Sequence, residues 1–376
     1  MKKRILHIQV LPLMSGVQKI SLEIMRNLDE KEYEKYILFS DTDTGEKKAV
    51  CTRLFTEAGV NVIFSEKLKR SIGLWDFKAL IEIYRLCKKQ KFDIVHTNST
   101  KPGIVGRIAA TMAGVPVVVH TVHGIAFHDF EKFPKRQFYC MCEMIASFFC
   151  DSIVTVNKYY LKYFKLFKKK MSVIYNGLDF SLFPEKQVST DDNVRVLFVG
   201  RLEFQKDPLT VLKTAKLVLE KCPDAVFTIV GDGTLYEPCR KFIEENHLDD
   251  KIILVKWQKN VADFYSSHDI FLTASLYESF GLTFLEAGFY ELSVVTTNVE
   301  GIPEVVIDGE TGFLSNPADA AALAGNVVRL IEDKNLRESM GRSGKKRVTE
   351  LFTEEKMVGK YKDLYESLYE KKVPQR

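Results

Sequence analysis

Four charged residues in the C-terminal half have the types and spacing to hold a diphosphate. Two are carboxylates, in Ser275-Leu276-Tyr277-Glu278-Ser279-Phe280-Gly281-Leu282-Thr283-Phe284-Leu285-Glu286-Ala287-Gly288. The run Ile270-Phe271-Leu272 ahead of them reads as a buried strand and 275–279 as a short loop, and the spacing of Leu282, Leu285 and Phe289 predicts a helix from near Gly281. The first turn of a helix has free N–H groups and a partial positive charge, which suit phosphate. Gly281 has no side chain to hold an anion off. Glu278 precedes that turn and Glu286 lies about two turns into the helix, so each can accept hydroxyl hydrogen bonds from what hangs off one end of a diphosphate. A surface helix with two solvated Glu residues would use the same residues. The other two charges are Arg201 and Lys206 in Gly200-Arg201-Leu202-Glu203-Phe204-Gln205-Lys206-Asp207-Pro208, directly after an apolar run. Two fixed cations at a strand end can hold a diphosphate without a metal. A solvated basic loop is the plainer reading of that motif alone. Both motifs follow strands of one sheet, which points to one shared site.

The elements that must position these residues alternate along the whole chain. Segments 4–10, 36–40, 60–64, 92–97, 115–120, 152–156 and 173–175 read as strands. A helical stripe at Ile20, Ile24 and Leu28 and a helix over 77–89 lie between them. The Val-rich run from Val115 reads as a strand buried on both faces. Segment 176–193, with Gly177, Pro184, Ser189 and several charges, reads as a linker. The pattern then restarts, with strands over 194–199, 225–230, 251–255, 269–273 and 293–297 and helices over 209–219, 235–245, 318–332, 335–350 and 353–369. A βαβα order implies parallel sheets covered on both faces. The expected fold is α/β: two Rossmann-like doubly wound domains facing across a cleft, residues 1–180 and 190–352, with a C-terminal helix in 353–376 crossing back onto the first.

Bulk properties fit this. The 376 residues, 46% hydrophobic and 28% charged, are ordinary for two globular domains. Net charge is +4, but residues 1–180 hold 29 Lys+Arg against 18 Asp+Glu, and the remainder 25 against 32. A first half at +11 beside a second at −7 points to an anionic partner for the first. The stretch Lys158-Tyr159-Tyr160-Leu161-Lys162-Tyr163-Phe164-Lys165-Leu166-Phe167-Lys168-Lys169-Lys170 mixes aromatics and lysines at helical spacing. Such a helix can lie on an anionic membrane surface or simply present a solvated lysine face. No recognition module for nucleic acid accompanies the charge. No apolar run approaches the roughly 18 residues of a spanning helix. Lys2-Lys3-Arg4 and the apolar residues after it resemble an export signal, but His7 and Gln9 interrupt the run and no cleavage site follows, so a first strand is expected. With seven Cys, an odd number, reduced thiols and a cytoplasmic location, with or without attachment to the inner face of the plasma membrane, are expected. Cys140, Cys142 and Cys150 lack zinc-like spacing and read as buried helix residues. Gly231-Asp232-Gly233 begins like a dinucleotide loop, but Tyr236 replaces the third glycine, which argues against NAD.

Arg201 and Lys206 together with Glu278 and Glu286 resemble family 4 of the retaining glycosyltransferases, whose fold is the two-Rossmann-domain GT-B. Similar stretches are His96-Thr97-Asn98-Ser99-Thr100-Lys101-Pro102-Gly103, Gly106-Arg107-Ile108-Ala109-Ala110, His120-Thr121-Val122-His123-Gly124, Gly301-Ile302-Pro303-Glu304 and Asp308-Gly309-Glu310-Thr311-Gly312-Phe313-Leu314. They are similar to members that build bacterial surface polysaccharides, such as capsule, O-antigen and exopolysaccharide. The resemblance covers nearly the whole chain, and its C-terminal motifs are the more specific.

The resemblance implies the following roles. Arg201 and Lys206 stabilise the leaving diphosphate. Glu278 holds donor-sugar hydroxyls beside the backbone of Phe280, Gly281 and Leu282. Glu286 binds the ribose, and Gly200, Gly231 and Thr283 complete the donor site. His123 contacts the donor sugar from the N-terminal side, a place after a buried strand where a structural histidine is also common. Gly16, Asn98 and Lys101 lie on the acceptor side, and His96 and His120 are structural. Many members carry two adjacent glycines where this chain has Ser15-Gly16, a bulkier turn. The implied activity is retaining, metal-independent transfer of a hexose or N-acetylhexosamine from a nucleotide-sugar, UDP-linked, to a polyprenyl-diphosphate-linked or oligosaccharide acceptor, with no cofactor. A sugar-nucleotide epimerase of the same fold and a silent binding partner are the alternatives. Asp41-Thr42-Asp43 resembles the metal-binding Asp-x-Asp of the other glycosyltransferase fold, GT-A, and reads more simply as a polar turn.

Overall fold

The computed structural model describes residues 2–42, 44–69, 75–186 and 193–373. The chain forms two compact units. One holds the chain up to Asn176 together with the stretch from Glu354, and the other is Gly177–Thr353.

In the first unit, seven short strands rich in Val, Ile and Phe pair side by side. They are β1 (Lys3–Ile8), β2 (Tyr33–Ser40), β3 (Val60–Ser65), β4 (Ile94–Asn98), β5 (Val117–Val122), β6 (Ser152–Thr155) and β7 (Met171–Val173). All pair in parallel, in the order β3-β2-β1-β4-β5-β6-β7. β5 is buried along its whole length, as a central parallel strand must be. Leu6, Ile8, Val95 and Val118 face one core; Leu22, Ile37, Phe39 and Phe55 build another on the opposite face. The helix Glu354–Lys372 closes this unit, where Tyr365 OH lies 2.5 Å from His96 Nδ1 and Tyr361 OH 3.1 Å from Thr121 Oγ1. His96 and His120 are buried and serve structure. His120 Nδ1 is 2.9 Å from Thr97 Oγ1, and behind it fully buried Arg107 pairs with Glu143 at 2.7 Å.

The second unit holds β8 (Arg195–Val199), β9 (Val226–Val230), β10 (Ile252–Val255), β11 (Ile270–Leu272), β12 (Ser293–Thr297) and β13 (Gly312–Ser315), all parallel, in the order β10-β9-β8-β11-β12-β13. Strand order reverses between β8 and β11, which pair through Ile270↔Val196 and Phe271↔Leu197. Loops leaving the C-terminal ends of these two strands diverge there and open a crevice, the usual ligand site of doubly wound sheets.

The structure corrects several expectations. Residues 158–170 form no single helix but two 3₁₀ turns, Tyr159–Tyr163 and Lys165–Lys170, because Tyr160, Phe164 and Phe167 are pulled into the core and the backbone leaves helical angles at Phe164 and Phe167. The expected linker is partly packed: Leu178 N donates to Phe352 O at 3.1 Å and Phe180 stacks on Phe289 at 5.2 Å. Its residues 187–192 lie outside the described ones. β13 and the helices Glu46–Glu57, Thr100–Met112 and Lys135–Ala146 were not expected. Cys140 and Cys142 are only half-buried and Cys150 lies beyond the helix end. Asp41 pairs with Lys48, as in a polar turn, and Asp43 lies outside the described residues.

Candidate active site

The β8 and β11 loops carry the four charges singled out in the sequence. The β8 loop leaves the sheet at Gly200 and turns through the 3₁₀ turn Phe204–Lys206 into the helix Pro208–Leu219. Asp207 starts that helix, accepting from Thr210 N at 3.3 Å and Thr210 Oγ1 at 2.7 Å, with Pro208 in the first turn. This cap fixes the direction of Lys206, whose ammonium forms an ion pair with Glu278 from the β11 loop. Both side chains are nearly buried, so the pair is screened little by water.

Gln205 ties the same two loops together. Its side-chain amide donates to Tyr277 O at 3.0 Å, its side-chain oxygen accepts from Arg201 Nη2 at 2.9 Å, and its backbone carbonyl accepts from Leu276 N at 2.9 Å. Arg201 thus stands exposed beside Lys206 with one guanidinium nitrogen anchored. Sequence reasoning quoted Gln205 and gave it no role, since an amide in a loop carries no signal until its partners are known.

Glu278 leads into the helix Leu282–Phe289. Gly281 caps it at φ +78, a backbone conformation that disfavours a Cβ, and a Cβ there would meet the Phe284 ring at 2.6 Å. No side chain caps the helix, and the N–H groups of Gly281, Leu282 and Thr283 meet no acceptor among the described residues. Gly281, Leu282 and Thr283 are half-exposed, and Gly281 lies close to the Glu278 side chain. Phe280 is buried edge-on against Phe352 and contributes backbone only. One turn on, Glu286 accepts from Tyr265 OH at 2.8 Å. Burial first, and then the Glu286 carboxylate, hold the Tyr265 phenol protonated. Tyr265 was missed in the sequence because a buried tyrosine in a short helix resembles ordinary core. Gly231 closes the floor at the end of β9, where a Cβ would come within 1.9 Å of Gly200 O.

The remaining candidates lie in the first unit, at strand ends or in the first turn of the helices that follow them. His123 follows β5 and its Nε2 lies 3.0 Å from Asn98 Oδ1 at the end of β4. Burial pushes the imidazole down to about 4, so it is neutral at pH 7. Nε2–H then donates to Asn98, which leaves Nδ1 as an acceptor. Gly16 is exposed at the start of the helix Gly16–Arg26, after Ser15. Lys101, in the helix Thr100–Met112, is nearly buried and pairs with Asp76 at 2.6 Å. Among the described residues no group of three His, Cys, Asp or Glu could hold a metal ion.

Both halves of the chain resemble known proteins. Residues 14–182 match the model described as Glycosyltransferase Family 4 and residues 179–347 the one described as Glycosyl transferases group 1. A UDP-Gal:alpha-D-GlcNAc-diphosphoundecaprenol alpha-1,3-galactosyltransferase of Escherichia coli is 32% identical, over 97% of each chain. The chain belongs to glycosyltransferase family 4. A capsular polysaccharide biosynthesis glycosyltransferase, CapM of Staphylococcus aureus, is 29% identical over 79% of this chain and 83% of its own. Among solved structures, Anabaena HepE in complex with UDP and glucose superposes with a TM-score of 0.81 at 17% identity, covering 96% of this chain and 99% of that one. A sucrose-phosphate synthase of Thermosynechococcus elongatus gives 0.82 at 21% identity, over 98% and 99%. The fold is GT-B.

Proposed function

We propose that this glycosyltransferase moves a hexose or N-acetylhexosamine from a UDP-sugar to a saccharide held on a polyprenyl diphosphate, with retention of anomeric configuration and without a metal. The observation that carries the reading is the Lys206–Glu278 pair beside the unpartnered amides of Gly281, Leu282 and Thr283, at the strand-order reversal of the second unit. As the donor bond breaks, negative charge grows on the diphosphate. Lys206, Arg201 and the helix start are already oriented toward such charge and need no reorganisation. Glu278 then accepts hydroxyl hydrogen bonds from the donor sugar and Glu286, held by Tyr265, from the ribose. The acceptor hydroxyl attacks on the face the diphosphate leaves, and a phosphate oxygen takes its proton. The C–O bond to the diphosphate breaks as the new glycosidic bond forms. Acceptor binding falls to the first unit, since residues 1–180 carry the excess positive charge. The E. coli relative, named for a UDP-galactose donor and a lipid diphosphate acceptor, supports this choice.

The test incubates the purified protein with a panel of UDP-sugars and diphosphoundecaprenol-linked N-acetylglucosamine in excess EDTA. Transfer giving an α-linked product from an α-linked donor is expected. A β-linked product, or loss of activity restored by a divalent ion, would refute the stereochemical or the metal-free part. An altered sugar without transfer would make the protein an epimerase.

A further inference from the structure

We propose that the first unit docks on an anionic lipid surface through an apolar stripe on the helix Lys135–Ala146 and a lysine border beside it. On that helix Phe138, Met141 and Ile145 are all exposed. At about 100° per residue these three positions fall within about 60° of one another, so they form one stripe. The opposite side packs normally: Tyr139, Cys140 and Met144 pack against the core, and Glu143 and Ala146 are buried. Phe133 extends the stripe before the helix and Phe148 after it, 80% and 68% exposed. Single exposed apolar residues are ordinary, but three in one stripe on a helix with one more at each end are not.

The border is the turn Lys165–Lys170. The Phe148 ring meets Phe167 edge-on at 4.9 Å, and Lys170 Nζ donates to Cys150 O at 2.7 Å, which sets this turn against the end of the stripe. Leu166 is 84% exposed there. Lys165, Lys168 and Lys169 are exposed around it and pair with no carboxylate among the described residues. Unpaired cations flanking a solvated apolar row complement negative headgroups above acyl chains. A second copy of the chain would bring these same cations together. The location of the surface does not depend on the donor or acceptor assigned above.

The test is flotation of the full chain with vesicles of phosphatidylglycerol and phosphatidylcholine, and with phosphatidylcholine alone. Binding to the first, weakened by salt, is expected. The combined Phe138→Ser, Met141→Ser, Ile145→Ser variant, and Lys168→Glu with Lys169→Glu, should each lower the partition coefficient by roughly tenfold or more, at an unchanged thermal midpoint. Absence of vesicle binding, or binding by either variant equal to that of the unaltered protein, overturns the proposal. So does a lipid-free dimer that becomes monomer in the stripe variant, since a second copy would then cover this face.

Discussion

Lys206 and Glu278, seventy-two positions apart, neutralise each other across the two loops that flank the centre of the six-stranded sheet. The carboxylate fixes the ammonium in place, where the proposed diphosphate would meet it. Replacing Lys206 by Met should cut turnover by about a hundredfold to a thousandfold. It also strands a nearly buried carboxylate, at a cost of up to about 3 kcal/mol. Adding Glu278→Gln should restore the thermal midpoint and leave turnover low. Near-normal turnover in Lys206→Met would remove the role assigned to this cation.

Gln205 holds the loop that carries Arg201 and Lys206 against the loop that carries Glu278. Gln205→Ala should cost about 1 kcal/mol of stability for its lost hydrogen bonds. Because the loops lose register, kcat/KM should fall about tenfold, a larger effect than the stability loss implies. Steady-state kinetics beside a urea titration will show whether the two effects separate.

At Gly281 the positive φ and the Phe284 ring leave no space for a Cβ. Gly281→Ala should destabilise the second unit by about 1–2 kcal/mol and weaken UDP binding measured by calorimetry. Unaltered UDP affinity would mean the nucleotide does not use this helix start.

Tyr265→Phe deletes the hydrogen bond to Glu286 while keeping the buried ring. Loss of that bond should loosen the orientation of the carboxylate, raising the Kd for UDP about tenfold or less. Binding of free UDP is the readout, since the nucleotide carries the ribose. No change would separate Glu286 from the ribose.

Acid should destabilise both units. Burial pushes His7 down to about 3 and His268 down to about 4, against an ordinary value of 6.5. Between these values the unfolded chain binds a proton that the folded chain does not, so the histidine contribution is whole above about 6.5 and is lost as pH falls toward 4. Each group contributes a slope of up to about 1.4 kcal/mol per pH unit. Denaturation midpoints should therefore fall between pH 6.5 and pH 4.5, and less steeply for the second unit in His268→Gln. A flat profile would contradict the burial assigned to these imidazoles.

The amino-acid sequence determined the fold class and the local placement of the charged residues around Gly281. Short β-branched runs alternating with amphipathic segments leave little but parallel strands under helices. Glu278, Gly281 and Glu286 sit close enough in the chain for helical spacing to place them. The elements it hid were those whose local signals conflict. Thr100–Met112 carries Pro102, Gly103 and Gly106 inside a helix, and residues 158–170 have helical spacing yet break into turns once their aromatics enter the core. Partnership was decided by tertiary structure alone. Lys206 meets Glu278, and Gln205 meets Tyr277, only because β8 lies next to β11. Likewise Lys101 meets Asp76, and Phe138, Met141 and Ile145 stay uncovered, for reasons of packing between distant segments. Local pattern sets what each segment becomes; strand order, a property of the whole sheet, sets which side chains meet.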